Sequence, residues 1–291
     1  MLYVLLAMIW GSSFILIKTG LRYFSADMVA ALRITVAGIV LLPFAFRGLR
    51  QLTAREQGLS VVMGLCASGV PAFLFAIGQT HVESGIAGIF NSLTPIFILI
   101  NGWLFFRTKY STLQTLGVVV GFIGCAGLIF LTHKSHGTHD NNYWFALLLV
   151  LATFLYGMSN QILMNFLRGK SSMLITPVAF FYMGLMAAVY LFSSGFATAV
   201  QQPDAWKGLV YVSLLAAFGS AFALLIYNHL AQRTGVAFSG TVTYVVPIFA
   251  LTWSFADHEY IGWEHVGAML LILTGVYLVR KQPSVGADKT S

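Results

Sequence analysis

Ten apolar runs, each long enough to cross a lipid bilayer, dominate this sequence of 291 residues. A membrane-spanning helix needs about 20 predominantly apolar residues. Windows of about that length locate the runs near residues 2–19, 26–46, 57–79, 84–106, 112–132, 143–166, 173–195, 207–230, 235–256 and 262–280. Only 9% of the residues are charged, whereas a soluble domain carries roughly 25% and needs them to cover its surface. The sequence therefore predicts an all-α integral membrane protein with ten transmembrane helices, which we number spans 1 to 10.

The charged residues indicate the orientation of the spans. When the connecting segments are assigned alternately to the two sides, most of the 16 Lys and Arg residues fall on the side that holds both termini. Because Lys and Arg are enriched in cytoplasmic loops, we expect both termini in the cytoplasm, although Lys18 and Arg22 follow span 1 on the outer side. The same asymmetry accounts for the net charge of +7, and the chain has no run of five basic residues that would indicate nucleic-acid binding.

Short motifs recur in the two halves of the chain. Span 1 contains an aromatic-Gly-x-Ser pattern at Trp10–Ser13, and span 6 repeats it at Tyr156–Ser159. Ser84–Ala87 at the start of span 4 matches Thr234–Ala237, which we place at the start of span 9. Because each half has five spans, an odd number, the second half must lie inverted in the membrane relative to the first. The sequence predicts two inverted-topology five-helix repeats, an arrangement that builds a midplane substrate site in many transporters.

The polar stretch between spans 5 and 6 separates the two predicted repeats. Ten spans of about 20 residues use most of the chain and leave no room for a separate soluble domain. We predict a first repeat over 1–134, an outer connector over 135–142, a second repeat over 143–281 and a cytoplasmic tail over 282–291.

Several of these features together resemble the drug/metabolite transporter superfamily, EamA type. They are Trp10–Phe14 in span 1, Arg33 within Ala-Leu-Arg of span 2, a proline in each of spans 4 and 9, and Gly275–Leu278 at the end of span 10. The resemblance covers residues 1–280. It implies a carrier of the bacterial inner membrane with a central cavity lined by spans 1, 3, 4, 6, 8 and 9. Such carriers move small metabolites, commonly amino acids, and usually outward.

The sequence departs from the family pattern at one place. Members of the family often have a Gly-Glu pair after spans 4 and 9. Here the first place reads Arg107-Thr108, without an acid, and the second reads His258-Glu259. The role of that acid is therefore in doubt for the first half of this chain.

Polar side chains within the apolar spans are the candidate substrate contacts. An unpaired polar group is costly in a bilayer, so such residues usually face the interior of a helix bundle. They either line one cavity or hydrogen-bond between helices, a common use of Ser, Thr and Asn in membranes. The candidates are Trp10, Ser13, Asn91, Thr94, Tyr156, Asn160, Ser220, Tyr227, Thr241 and Tyr244.

Prolines and one arginine within the spans are further candidates. Pro95 and Pro247 lie near the middle of spans 4 and 9, where a proline frees a backbone carbonyl and kinks the helix. We predict a gating or kinking role for this pair and for Pro71 in span 3, the alternative being that they only shape packing. Arg33 lies about two turns inside span 2, where it either contacts an anionic group of the substrate or reaches the surface and pairs with Asp27.

The acidic residues bear on the mechanism, because none lies inside a span. Proton-coupled exchange usually needs an embedded carboxylate or histidine relay, so we expect facilitated diffusion or exchange. Histidines near span ends, such as His81, His229 and His258, leave proton coupling open. The alternative function is a lipid or drug flippase or exporter with proton coupling.

The sequence does not favour an enzyme. The spans contain neither a Gly-x-Ser-Gly motif with a mid-membrane histidine nor a pair of intramembrane aspartates, which an intramembrane protease would need. We expect no catalytic residue, no metal and no cofactor. The expected partners are a small-molecule substrate and the lipid bilayer, with no nucleic acid, in a monomer or homodimer.

Overall fold

The computed structural model describes residues 2–135, 143–239 and 242–280, apart from the side chains of 132–135, 234–239, 244 and 280. This part of the chain is mostly helical and contains no β-strand. We number its ten apolar helical units in chain order. Six are uninterrupted: α1 (Leu2–Leu21), α2 (Ala26–Gln51), α5 (Thr112–Ser135), α6 (Tyr143–Phe166), α7 (Ser172–Ser193) and α10 (Trp263–Arg280). The shorter α9 covers Val242–Ala256, and a single turn, Phe196–Ala199, follows α7.

The three remaining units, α3, α4 and α8, are interrupted along their length. A π-helical segment, Leu65–Gly69, divides α3 into Ala54–Gly64 and Val70–Gly78. Another π-helical segment, Leu215–Phe222, divides α8 into Ala205–Leu214 and Ala223–Ser239. A turn at residues 92–93 divides α4 into Ser84–Asn91 and Thr94–Phe106. Such interruptions are frequent at functional sites.

Proline explains two of these interruptions. Pro71 and Pro95 each lie in the first turn of the helical segment that follows the break. A proline has no backbone N–H and its ring clashes with the carbonyl four residues earlier, so the regular α-helical hydrogen bonds stop before it. In α3 the backbone N–H of Val70 instead reaches back to the carbonyl of Leu65. Pro247 lies inside α9, which continues past it.

The all-α membrane fold predicted from the sequence is confirmed. Eight helices of the described chain are long and apolar enough to cross a bilayer, and α9 and α10 supply two shorter apolar helices. With 15 residues, α9 is about 22 Å long at 1.5 Å per residue, which is less than the hydrocarbon thickness of about 30 Å.

The predicted start of span 9 is wrong. Thr234–Ala237 does not begin a helix, because α8 continues to Ser239 and α9 begins at Val242. The stretch Thr234–Ala237 contains no proline that would interrupt α8. The helix therefore continues through the motif that was predicted to begin span 9. Thr241 lies outside the described residues.

The packing of the helices repeats between the two halves of the chain. α2 packs along α7, and α5 along α10. α1 packs against α9 as α6 does against α4, and α3 contacts α6 and α7 as α8 contacts α1 and α2. A shift of five helix numbers therefore converts each contact into its counterpart, as expected if the halves are structural repeats. The exact repeat boundaries stay a prediction.

Glycines allow the closest helix contacts. Gly275 of α10 packs on Gly117 and Gly121 of α5, and a Cβ atom at Gly275 would come to 2.5 Å from the carbonyl oxygen of Gly117. Small residues at this spacing let helix backbones approach each other within a membrane. The Gly117–Gly121 motif is therefore covered by the chain itself.

The α5–α10 contact predicts the effect of adding one methyl group. We expect Gly275→Ala to lower the free energy of unfolding by about 1–3 kcal/mol, the usual range for overpacking, because backbone must move to admit the new Cβ. Thermal unfolding in detergent measures this change. Gly267→Ala on the same helix is the control, since a Cβ there meets nothing within 4 Å. Equal melting temperatures for the two variants would contradict the described contact.

Candidate functional site

A central cavity lies where the two halves of the bundle meet. Its lining comes from α1, α2, α3, α4, α6, α8 and α9, and its volume is about 90 Å³. A water molecule needs roughly 10–15 Å³ by the same measure, so the cavity can hold several waters or a small solute. Besides the six spans that the family resemblance implied, α2 contributes Arg33.

The structure brings together every candidate substrate contact whose side chain it describes. Eight of these line the cavity: Trp10, Ser13, Asn91, Thr94, Tyr156, Asn160, Ser220 and Tyr227. Thr241 and the side chain of Tyr244 lie outside the described residues. Their common location is a structural fact, whereas their contact with a substrate stays a prediction.

Aromatic rings form much of the cavity wall. The rings of Trp10 and Tyr227 lie 5.1 Å apart at a tilt of 56°, and those of Phe75 and Tyr156 are stacked at 5.9 Å. Phe14 packs against Phe75 at 5.5 Å. These separations are typical of favourable aromatic pairs, so packed rings make much of the wall apolar.

Hydrogen bonds fix some of the polar side chains in place. The hydroxyl of Tyr227 donates to Oδ1 of Asn160 at 2.9 Å, and Nδ2 of Asn160 donates to the carbonyl of Tyr156 at 2.9 Å. Nδ2 of Asn228 donates to the hydroxyl of Thr176 at 3.0 Å. By contrast, the Asn91 amide makes no hydrogen bond within the described chain and is available to a ligand.

Both π-helical segments face the cavity. Ala67 and Ser68 come from the segment in α3, and Gly219 and Ser220 come from the segment in α8. The carbonyl oxygen of Gly219 accepts a hydrogen bond of 3.2 Å from Nε1 of Trp10. The Ser68 hydroxyl is buried and has no partner in the described part of the chain.

The sequence analysis missed part of this lining. Ser68, Phe75, Asn228 and Thr243 also border the cavity but were not among the candidates. The signal for Ser68 was present in the sequence: Ser68-Gly69 occupies the place in α3 that Gly219-Ser220 occupies in α8. Small residues at matching places in paired helices mark both π segments.

Arg33 is a buried cation in the cavity wall. Only 8% of its surface is exposed, and its Nε donates to the hydroxyl of Ser220 at 2.6 Å. Among the described residues no carboxylate forms an ion pair with it. Asp27, the alternative partner considered from the sequence, instead accepts a hydrogen bond of 3.0 Å from the hydroxyl of Tyr190 on α7.

The three candidate gating prolines lie in different settings. Pro71 follows the π segment of α3 and Pro95 follows the break in α4, and both are buried. Pro247 is within α9. Each therefore lies in a helix that borders the cavity, and a role in gating stays a prediction.

An ionic cluster holds three helix ends together at one end of the bundle, which we call the Lys18 end. Nζ of Lys18 lies 2.6 Å from carboxylate oxygens of both Asp257 and Glu259. Arg22 pairs with Asp257 at 2.8 Å. The cluster joins the end of α1 to the segment that follows α9.

Glu259 extends the cluster to the start of α4. Its carboxylate accepts hydrogen bonds from the backbone N–H groups of Ser84 at 3.0 Å and Gly85 at 3.2 Å. It also accepts from the hydroxyls of Ser84 and Ser254. A carboxylate at a helix N-terminus is stabilised by the free N–H groups and by the helix dipole.

The pKa values of both carboxyl groups lie below their ordinary range. Hydrogen bonding to Lys18 is the main cause for Asp257. For Glu259, burial raises the pKa, but hydrogen bonds from Lys18, Ser254 and the start of α4 outweigh it. These shifts favour the ionised forms and keep the cluster charged at neutral pH.

The corresponding place in the first half lacks this carboxylate. Arg107 ends α4 with a left-handed backbone at φ 53°, and His258 follows α9 with φ 57°. The next residues are Thr108 and Glu259. Two similar helix endings therefore carry an acid in the second half only.

Comparisons with known proteins agree with this architecture. The sequence model of the EamA-like transporter family matches residues 1–130 and again 143–281. The chain is 27% identical to an uncharacterized inner membrane transporter, YedA, of Escherichia coli K12, over 96% of this chain and 92% of the relative. It is 26% identical to a probable terminal-alkyne amino-acid exporter of Streptantibioticus cattleyicolor, over 87% of this chain and 82% of the relative.

A solved structure shares the fold. The chain superimposes on the crystal structure of another protein with a TM-score of 0.61 and 16% sequence identity. The match covers 95% of this chain and 94% of the other.

The family match and the names of the relatives identify a multi-pass membrane transporter rather than an enzyme. The chain belongs to the EamA-like transporter family, which matches most of its length. The resemblance to the drug/metabolite transporter superfamily is thereby confirmed.

The ionic cluster predicts a pH-dependent stability. Because both carboxyl pKa values are depressed in the folded protein, the cluster stabilises it above their ordinary values near 4, and this contribution is lost as the pH falls through the folded-state values. We expect Glu259→Gln to lower the free energy of unfolding by about 1.5–3 kcal/mol at pH 7, the range for hydrogen bonds to charged groups. The difference should shrink as the pH falls below the ordinary carboxyl value near 4.

Thermal unfolding of wild type and variant in detergent across this pH range measures the effect. Glu264→Gln is the matched control, because Glu264 is exposed in the first turn of α10. A Glu259→Gln deficit that persisted unchanged in acid would show that it does not arise from the charge.

Proposed function

We propose that the protein is an alternating-access carrier that exports small organic metabolites, most commonly amino acids or related compounds, by facilitated diffusion or exchange. The observation that carries this proposal is the cavity between the two halves of the bundle, which combines aromatic walls with unbonded polar groups such as Asn91. Binding sites for small solutes commonly have this character, with a few polar groups that fix orientation. The printed names of the relatives support transport and, in one case, amino-acid export.

We place the carrier in the bacterial inner membrane with both termini in the cytoplasm. The excess of Lys and Arg in the loops on the terminal side supports this orientation, and a relative is named as an inner membrane transporter. In this orientation the Lys18 end faces outward.

The two repeats supply the mechanism of alternating access. In repeat-based transporters, one set of helices rocks or bends against the other around a fixed site. The broken helices α3, α4 and α8 all border the cavity, so they can bend there with little loss of regular hydrogen bonding. The ionic cluster must separate when the Lys18 end opens, because it joins α1, α4 and the segment after α9.

Facilitated diffusion or exchange fits the charges of the cavity better than obligate proton coupling. Within the described chain the lining contains neither Asp, Glu nor His, so it offers no carboxylate or imidazole relay. The proposal excludes a mechanism in which each transport event must take up a proton inside the cavity.

Transport by purified protein in liposomes tests the proposal. Vesicles preloaded with unlabelled amino acids should accumulate the labelled amino acid by exchange, and a protonophore should leave the rate unchanged within about twofold. Protein-free vesicles provide the background. Transport that stopped when the proton gradient collapsed would favour the alternative of a proton-coupled exporter, and no exchange of any amino acid or related acid would refute the proposal.

Asn91 provides a mutational test of the cavity. We expect Asn91→Ala to raise the KM for exchange by about 10-fold, because removal of one hydrogen bond to a substrate is worth on the order of 1–1.5 kcal/mol. Asn165→Ala is the matched control, since Asn165 is exposed near the end of α6 and bonds only to Gln161. Both variants should keep the wild-type melting temperature, and equal KM values for the two would remove Asn91 from the site.

A further inference from the structure

Arg33 is the single charged residue among the described residues that line the cavity. A buried charge inside a membrane protein is usually paired with an opposite charge or with backbone carbonyls. Here its one hydrogen-bond partner in the described chain is the neutral hydroxyl of Ser220. The cavity wall therefore contains a positive charge that the described residues do not neutralise.

The guanidinium group is held in a definite orientation. Arginine has five N–H donors in a planar fork, and the Nε–H is used by Ser220 at 2.6 Å. No hydrogen bond to a described residue uses either terminal nitrogen, and Arg33 lines the cavity. The edge formed by these two nitrogens remains open, and two parallel N–H groups fit the two oxygens of a carboxylate.

Other polar groups of the cavity can complete such a site. The Ser68 hydroxyl is 4% exposed and unpartnered within the described chain. The Ser220 hydroxyl accepts from Arg33 and keeps its own proton to donate. Within the described lining no carboxylate is present to neutralise an ammonium group. The charge of the cavity therefore distinguishes an acid from an amine.

We infer that the substrate is a carboxylate with an apolar or aromatic body, bound end-on to Arg33, and that its recognition does not depend on an amino group. The inference rests on the proposed function and names the substrate class of the same cavity. Hydroxy and oxo acids should bind as well as amino acids, the ring of an aromatic acid packing between the aromatic walls. Ser220 is a positioning residue that fixes the guanidinium plane through its π-helical segment.

Ligand-induced stabilisation of the detergent-purified full chain tests the inference, because a ligand that binds only the folded form raises the melting temperature. The probes share one body: 3-phenylpropanoate, 3-phenyllactate, phenylalanine, phenylalanine amide and 2-phenylethylamine. We expect the three carboxylates to raise the melting temperature and the two cations to leave it unchanged. The inference would be overturned if the cations raised the melting temperature. It would also be overturned if none of the five probes did so at millimolar concentration.

Variants of Arg33 separate its charge from its geometry. We expect Arg33→Gln to raise the apparent Kd for 3-phenylpropanoate by 10-fold or more, as for loss of a charge-assisted hydrogen bond. Arg33→Lys should give a smaller increase, because it keeps the charge and loses the two-point contact. Ser220→Ala should weaken binding as Arg33→Lys does. If Arg33→Gln fails to fold, Arg33→Lys and Ser220→Ala still decide the question, and unchanged Kd values in both would refute the assigned role.

Liposome exchange distinguishes failure of this inference from failure of the proposed function. Exchange of phenylalanine amide or of 2-phenylethylamine at the rate of the acids would leave a carrier but refute carboxylate selection. If the wild type exchanges the acids and Arg33→Gln does not, while keeping the wild-type melting temperature, both the carrier function and carboxylate selection are supported.

Discussion

Backbone hydrogen bonding in a medium without water is the constraint on which this structure depends. Lipid offers no donor or acceptor, so each backbone polar group must be satisfied within the protein. Regular helices meet this requirement and account for most of the described chain. The exceptions in α3, α4 and α8 all border the cavity, where the Trp10 indole satisfies the Gly219 carbonyl. Departures from helical regularity therefore coincide with the candidate site.

Much of the fold could be predicted because the same constraint is visible in the sequence. Long apolar runs mark the helices, and polar side chains within those runs mark the interior, which is why the sequence alone identifies Trp10, Asn91 and Tyr227 as candidates. The α8–α9 boundary was mispredicted because the polar run Gln232–Thr234 was taken for a connection and the repeated motif after it for a helix start, whereas α8 continues to Ser239.

The site itself was less predictable, for physical reasons. A π-helical segment arises from a shift in hydrogen-bond partners, and neither Ser68 nor Ser220 shows that shift in its residue type. Apolar cavity walls such as Phe75 resemble any other buried ring. The environment of Arg33 could not be inferred either, because its two sequence-based alternatives differ only in side-chain direction. In the structure Asp27 bonds to Tyr190 and Arg33 to Ser220, so the Asp27 pair is not formed, and contact of Arg33 with a substrate stays a prediction.

The acid at Glu259 and the threonine at the matching position 108 make the two ends of the bundle chemically unequal. Two folded halves of equal shape would give inward-facing and outward-facing forms of similar free energy. Here the described structure has the contacts of Lys18, Asp257 and Glu259 at one end, whereas Thr108 supplies no carboxylate for a matching set after α4. Under the proposed alternating-access mechanism, the unloaded protein is expected to rest mainly with the Lys18 end shut, so that a solute reaches the site more often from the opposite end of the bundle.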